Sequence, residues 1–390
     1  MLEYIKGSLT FLPDRCCQCG VCLPSCGPTA LSGVRTKSQF NIAIDTNRCT
    51  DCNLCVVACP ASVLPSVAVP DDVVSSARSI HLACATDPEV RKRSSSGGFV
   101  RTVIGQVLRS GFVDAVYTLV YPQVDKEPEG GLRSIEREAE GRWIRTPPDP
   151  DSVPCSLYRP VLWGRNLMTD APRKGRVLLV GLPCQLKGAY RLLRRFRPQL
   201  ELMSIAIFCR KNKEFGYTRY YKKLARLDEK DGDRAVTYRG NGWPGKVKVY
   251  GSRISEHRLI FPAKAWNMAA CEYCIDSANA QESDVTAMDP WGIVDPAHSP
   301  SGGQTLVLAW TEAGQALLDN SSGALDLRPV DGGRVQASLD YPAMATKRAG
   351  AFSLIDGTRS AGASAAMKLR SRIREFVLGT FPRVSRLLLR

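Results

Sequence analysis

The sequence predicts a mixed α/β chain in three parts: a small cysteine-rich module over residues 1–70, an α/β body over 80–345 and a basic tail over 346–390. Three patterns carry this division. "CCQCGVCLPSCGPTAL", from Cys16, and "CTDCNLCVVACP", from Cys49, crowd cysteines ahead of Pro60 at matched spacings. "KGRVLLVGLPCQLKGAYRLLRRF", from Lys174, runs as apolar strand, tight turn and amphipathic helix, the succession from which α/β layers are built. Between them "PASVLPSVAVP", Pro60 to Pro70, has three prolines and no helical period, and reads as a linker.

The module's cysteines call for a compartment before a chemistry. The amino-terminal residues lack the apolar core of a signal peptide, and no later apolar run reaches the roughly 18 residues of a membrane span, so the expected location is cytoplasmic. Crowded thiols there bind metal or do redox work more often than they cross-link. Cys16, Cys19, Cys22 and Cys26 follow C-x2-C-x2-C-x3-C, and Cys49, Cys52, Cys55 and Cys59 repeat it. Zinc sites use close ligand pairs separated by a longer loop, whereas thiolates at steps of three wrap a cubane. The fourth cysteine of each copy serves the other centre in two-cluster ferredoxins. One [4Fe-4S] centre is therefore expected on Cys16, Cys19, Cys22 and Cys59, and a second on Cys49, Cys52, Cys55 and Cys26. Cys17 is left over as a bystander thiol.

Charge and size bound the partners. The chain has 390 residues, more than the module needs, and a formal net charge of +15. Such an excess suits an acidic redox protein, an anionic coenzyme or an anionic membrane surface. No zinc-finger, helix-turn-helix or RNA-binding aromatic signature accompanies it, so no nucleic-acid partner is expected. Only His81, His257 and His298 occur, none spaced as a metal-binding pair. In the tail, "KLRSRIREFVLGTFPRVSRLLLR" places Leu369, Ile373, Phe376 and Val377 near helical spacing among arginines. It reads as a basic amphipathic helix, either packed on its own domain or in peripheral contact with a membrane.

Within the body, "RKRSSSGGFVRTVIGQVLRSG" opens a helix at Gly97 and Gly98, with Val100, Val103, Ile104, Val107 and Leu108 on one face and Gly111 at its end. Serines and glycines at a helix amino terminus form either an ordinary cap or a cradle for phosphate. "FVDAVYTLVY" follows as a strand, and residues 128–154 turn polar, as a hairpin or a mobile excursion followed by a loop. The strand beginning near Arg176 leads into a helix near Gln185, and "LELMSIAIFC" adds another strand ending at Cys209. Cys184, Cys209 and the C-x2-C pair Cys271 and Cys274 remain. Each alone is an ordinary buried thiol, and the pair alone is ambiguous between zinc, cluster and dithiol.

The ordered set "SSSGGFV" at Ser94, "GLPCQLKG" at Gly181, "IFC" ending at Cys209, "YRGNGWPG" at Tyr238 and "CEYCIDSANAQESDVTAMDPWG" at Cys271 resembles the coenzyme F420 hydrogenase/dehydrogenase beta-subunit family, over about Ala83 to Gly314. The resemblance implies an FAD-binding α/β domain. It further implies a third [4Fe-4S] cluster on Cys184, Cys209, Cys271 and Cys274, and a flavin site that includes Ser95, Ser96, Gly97 and Gly98. Asp276, Asp284, Asp289, Trp291 and Gly292 match the family's aspartate-glycine region. The chain departs from the family at "GLPCQ", where a threonine is usual in place of Leu182, at Met288, and at "PCSLYRP" around Tyr158, where many relatives carry a lysine.

The expected function is that of an iron-sulfur flavoprotein oxidoreductase. Electrons would pass between a ferredoxin-type partner and FAD, and FAD would exchange hydride with an organic substrate or the deazaflavin coenzyme F420. Cluster potentials span roughly −700 to +450 mV with environment, so the sequence does not fix the direction. The alternative is a non-enzymatic electron-transfer subunit of a larger redox complex. Catalytic residues are not assigned.

Overall fold

The computed structural model describes residues 2–5, 8–11, 13–62, 74–121, 139–227, 236–240, 242–250, 256–257, 266–272, 274, 282–293 and 303–335. The expected basic tail and most of the expected linker lie outside them. So does Asp276.

Eight strands build the body's sheet: β1 (Ser79–Ala85), β2 (Ala115–Val120), β3 (Glu140–Ile144), β4 (Lys174–Gly181), β5 (Gln199–Ile207), β6 (Val285–Met288), β7 (Thr305–Ala309) and β8 (Leu325–Pro329). Their spatial order is β8-β1-β7-β6-β5-β4-β2-β3. Four neighbours, β6, β5, β4 and β2, run parallel. The outer strands pair antiparallel. A parallel core must be covered on both faces, which explains why β4 reads as a nearly continuous apolar run. Its alternate residues divide accordingly. Leu178 and Val180 pack on one face with α1 (Phe99–Arg109) and α4 (Glu312–Ser321), and Val177 and Leu179 pack on the other with α2 (Pro183–Phe196).

Each helix follows from its sequence. In α1 the buried apolar side chains are Phe99, Val103, Ile104, Val107 and Leu108, one stripe at helical spacing. Pro183 starts α2 at a position whose N–H needs no partner, and the Gln185 side chain accepts from the Leu182 N–H at 2.8 Å. Arg194 and Arg195 lie in its last turn, where cations suit the helix dipole. The polar excursion ends in β3, so residues 140–144 complete a hairpin with β2.

On the α2 face the sheet is also covered by the cysteine module. Val21 and Ala58 join Trp163, Leu186 and Leu193 in one buried cluster. Gly188 of α2 allows that approach: a Cβ there would meet Val21 Cγ2 at 3.2 Å and the Ala58 carbonyl at 3.3 Å. Backbone and guanidinium bonds crossing the junction include those from Gly164 N to Cys19 O at 2.6 Å, from Arg191 Nη1 to Cys59 O at 2.6 Å, from Arg165 Nη2 to Gly33 O at 3.3 Å and from Phe215 N to Ser38 O at 2.9 Å.

A smaller unit packs α3 (Phe215–Leu224) against strands 236–237, 247–249 and 256–257, around Tyr217, Tyr220, Tyr221, Tyr238 and Trp266. Among the described residues no helix is long and apolar enough to cross a membrane.

Candidate functional site

The carboxyl ends of parallel strands are where open α/β sheets place ligands. Here β4 ends at Gly181, one turn before Cys184, β5 ends two residues before Cys209, and β6 ends at Met288, beside Asp289. All of these border a cavity of about 340 Å³, a size suited to small molecules and cofactors, whose pockets run from about 300 to 1,000 Å³.

Cys184, Cys209, Cys271 and Cys274 line this one cavity, brought there from two strand ends and the 269–272 helix. Cys184 sits in the first turn of α2, just after Pro183. The Asn212 N–H points at Cys271 Sγ from 3.3 Å, the kind of contact that tunes iron-sulfur centres. Cys17, read from sequence as a bystander, lies on the same wall. Its thiol hydrogen-bonds Cys184 and Cys19, which holds its pKa well below the usual thiol value.

In the module, both cysteine loops curl through left-handed residues, Gln18 (φ 61°) and Gly20 (φ 74°) in the first, Asp51 (φ 51°) and Asn53 (φ 58°) in the second. Gln18 is buried, and its Oε1 accepts from Phe40 N at 2.7 Å, which ties the first loop to the 40–44 strand. Cys16, Cys19, Cys22 and Cys59 lie in one another's fields. Burial pushes the Cys16 thiol up, and Cys17 and Cys59 add to it. For Cys22 burial acts first and Cys16 and Cys59 next. Cys19 is raised chiefly by its bond to Cys17 and by burial, with Cys22 and Cys59 contributing. Cys26, Cys49, Cys52 and Cys55 instead border a separate small hollow, and burial followed by Cys26 and Cys52 lifts Cys55, to about 11.

The donor chemistry fits iron-sulfur binding. Thiols that oppose one another's ionisation are relieved when iron takes their protons' place. Backbone N–H groups already face two module sulfurs, Gln18 to Cys16 at 3.4 Å and Ala30 to Cys26 at 3.3 Å. Among the described residues no three His, Cys, Asp or Glu converge on a position for a single metal ion.

The expected flavin segment divides. Ser95, Ser96 and Gly98 line the cavity, together with Phe99, Val100 and Arg101 of the first turn of α1. The backbone N–H groups of that turn lack intrahelical acceptors and face the positive end of the dipole. Gly97 is not on the wall. It has φ +64°, and a Cβ would strike Ala83 O at 2.8 Å and Thr305 N at 3.0 Å, so its glycine serves packing against β1 and β7. The serine hydroxyls are engaged in structure: Ser96 Oγ bonds the Gln304 carbonyl, and Ser95 Oγ accepts from Ser156 N at 2.9 Å.

Sequence reasoning missed Arg239. Its guanidinium grips Asp289 through two bonds, at 2.8 and 3.0 Å, and also donates to Ser95 O at 2.8 Å and Pro244 O at 3.0 Å. Asp289 accepts a third donor, Trp243 Nε1, at 3.3 Å. Trp243 packs on the half-exposed Trp291 at the cavity's edge, ring centroids 4.7 Å apart. Arg101, Arg159, Arg210 and Lys211 add positive charge to the lining, so the cavity favours anionic groups. The signal for Arg239 was present in "YRGNGWPG", whose glycines and proline announced a special turn, but nothing there named the carboxylate it would meet.

Comparison with known proteins adds the following. Residues 174–332 match the family model for the C terminus of the coenzyme F420 hydrogenase/dehydrogenase beta subunit, and residues 69–129 match the model for its N-terminal part. Residues 41–64 match a 4Fe-4S binding domain. In fold the chain is similar to a chain of the F420-reducing [NiFe] hydrogenase complex from Methanosarcina barkeri, known from a xenon-derivatised structure. The TM-score is 0.52 at 16% identity, over 70% of this chain and 91% of that one. No protein of curated function matches the sequence.

Proposed function

The chain belongs to the coenzyme F420 hydrogenase/dehydrogenase beta-subunit family, and on that premise we propose that it is an iron-sulfur flavoprotein. In this reading it moves electrons between a redox partner at its amino-terminal module and an organic acceptor or donor at the body cavity. One observation carries it: the Cys184, Cys209, Cys271 and Cys274 thiols, the amino terminus of α1 and Cys17 of the module all border one cavity.

The residues divide the work. Cys16, Cys19, Cys22 and Cys59 would hold one [4Fe-4S] centre, Cys26, Cys49, Cys52 and Cys55 a second, and Cys184, Cys209, Cys271 and Cys274 a third. The first turn of α1, with the flanking Ser95, Ser96 and Gly98, would hold the anionic part of FAD, and Arg101, Arg159 and Arg210 supply compensating charge. Gly97 supports this turn from behind. FAD, when bound, accepts electrons singly and exchanges them in pairs as hydride. The lining's positive charge suits an anionic substrate such as a deazaflavin coenzyme. Cys19 lies in the buried cluster shared with α2 and Arg191 binds the Cys59 carbonyl, which supports an inner position for the centre that would include them; the exposure of Cys52 supports an outer position for the other.

A second reading, an electron-transfer subunit that turns over nothing by itself, draws support from the similar chain's membership of a hydrogenase complex. Anaerobic purification with iron and flavin analysis tests the shared part, with an expectation of about twelve irons and about one FAD per chain. Single-turnover mixing of the reduced protein with a deazaflavin separates the two readings. Reoxidation of the flavin by the isolated chain supports the enzyme; no reoxidation supports the subunit.

A further inference from the structure

Lys213 has no exposed surface. Removing an ammonium from water costs several kcal/mol unless nearby groups return the lost hydration. Its Nζ donates to Asn267 Oδ1 at 2.7 Å and lies 5.4 Å from the centroid of the Tyr217 ring. Asn267 passes the contact on, from its Nδ2 to Glu272 Oε1 at 2.6 Å. Burial, aided by Lys211, holds the ammonium's pKa down to about 7, against the pull of Glu272 and Cys271.

The backbone fixes this cation to the third thiol set. Residues 212–214 run against 266–268 through bonds from Met268 N to Asn212 O at 3.0 Å and from Glu214 N to Trp266 O at 2.7 Å, with Lys213 bridged to Asn267. Cys271 follows directly, its N–H bonded to Met268 O at 2.9 Å, and Asn212 N reaches its sulfur. The buried charge is therefore built into the loop pair that presents Cys271 and Cys274 to the cavity.

We propose that Lys213 is a charge-positioning residue for the third cluster, raising its reduction potential by balancing the negative charge that four thiolates and an iron-sulfur core bring into this wall. The inference rests on the reading of Cys184, Cys209, Cys271 and Cys274 as ligands. Reduction of such a centre adds one electron and breaks no bond, so the core gains one negative charge. While protonated, a cation held in so poorly solvated a setting stabilises the reduced form more than the oxidised one, and the added negative charge in turn favours the protonated lysine. Net charge and hydrogen bonds to sulfur are among the factors that set cluster potentials.

The test is a redox titration of the anaerobically purified holoprotein and its Lys213→Met and Lys213→Gln variants, followed by electron paramagnetic resonance. The midpoint of the third centre should move to a more negative potential in both variants, while the two module centres stay in place and iron remains at about twelve per chain. An unmoved third midpoint at full iron content overturns the proposal, because the lysine would then serve only Asn267 and Glu272. Loss of the third centre from both variants also overturns it, since the lysine would be holding the loop rather than tuning the centre. A wild-type protein with about eight irons and no third signal defeats the ligand reading itself, and the proposal falls for that separate reason.

Discussion

Substituting Gly97 by alanine tests whether the turn before α1 is fastened where the structure puts it. At φ +64° a β-carbon costs about 1–2 kcal/mol for the left-handed backbone alone. That carbon would also lie 2.8 Å from Ala83 O and 3.0 Å from both Gln304 Cα and Thr305 N, all backbone of strand β1 or of the start of its partner β7. Neither strand has room to retreat. Gly97 O accepts from Ala85 N at 2.7 Å, and Ser96 bonds both Gln304 and Thr305. Overpacking of this kind costs about 1–3 kcal/mol, so the expected total is about 2–5 kcal/mol. Gly98→Ala is the internal control. It shares the left-handed backbone, at φ +81°, but its β-carbon would meet side chains, Ala85 Cβ and Val90 Cγ1 at 3.2 Å and Ser94 Oγ at 3.3 Å. Its cost should stay near the conformational 1–2 kcal/mol, about the lower edge of the Gly97 range. Anaerobic urea unfolding followed by far-ultraviolet circular dichroism, with flavin content measured on the same samples, ranks the pair. The reasoning is refuted if Gly97→Ala is as stable as Gly98→Ala, or keeps within about 1 kcal/mol of the parent.

Three further expectations concern the site and the sheet. Cys184→Ser should lower iron from about twelve to about eight per chain while the module's spectrum persists, and unchanged iron would remove Cys184 from the ligand set. Arg239→Met leaves a partly buried Asp289 carboxylate without its cation and should destabilise the chain by about 3–5 kcal/mol in denaturant titration, with Asp289→Asn recovering part of the loss in the double variant; a single-variant loss below about 1 kcal/mol would show the pair to be ornamental. His81 is held below its usual pKa by burial, with Asp319 opposing. The unfolded chain therefore binds the proton first, and stability should fall as pH drops below about 6.5, by about 1.4 kcal/mol for each unit of depression. His81→Leu should flatten the stability curve between pH 7 and 5, and parallel curves for the two proteins would rule the histidine out.

The parts of this molecule that sequence makes legible are those where local spacing and chemistry coincide. Steps of three between cysteines announce the module, because a loop that must wrap a core leaves its ligands at fixed intervals. The run from Lys174 to Phe196 announces strand, turn and helix, and α2 starts at Pro183, two residues before Gln185. The start of α1 just after Gly97 and Gly98 was legible, but what those two glycines pack against was not. Gly97 looked like a point of ligand approach and instead faces two strands, because sequence shows that a position needs φ above zero without showing what lies beside it. Arg239 and Asp289 are 50 residues apart, and Lys213 and Asn267 are 54 apart. Such pairs depend on how the sheet closes, and neither residue's neighbours in the chain carry a mark of its partner. The place of Cys17 was hidden for the same reason: it lies beside Cys184, which only the packing of the module on α2 brings near.

That packing decides how current would enter. Gly188 lets the helix at Leu54–Ala58 rest against α2, and Gly164, Arg191 and Phe215 tie the two lobes through backbone oxygens. With its module fastened at these points, the chain would serve as a fixed terminal rather than a tethered shuttle. Only the meeting with an outside donor would then depend on collision and solvent viscosity. The passage inward would be a property of the single chain, the same at any dilution.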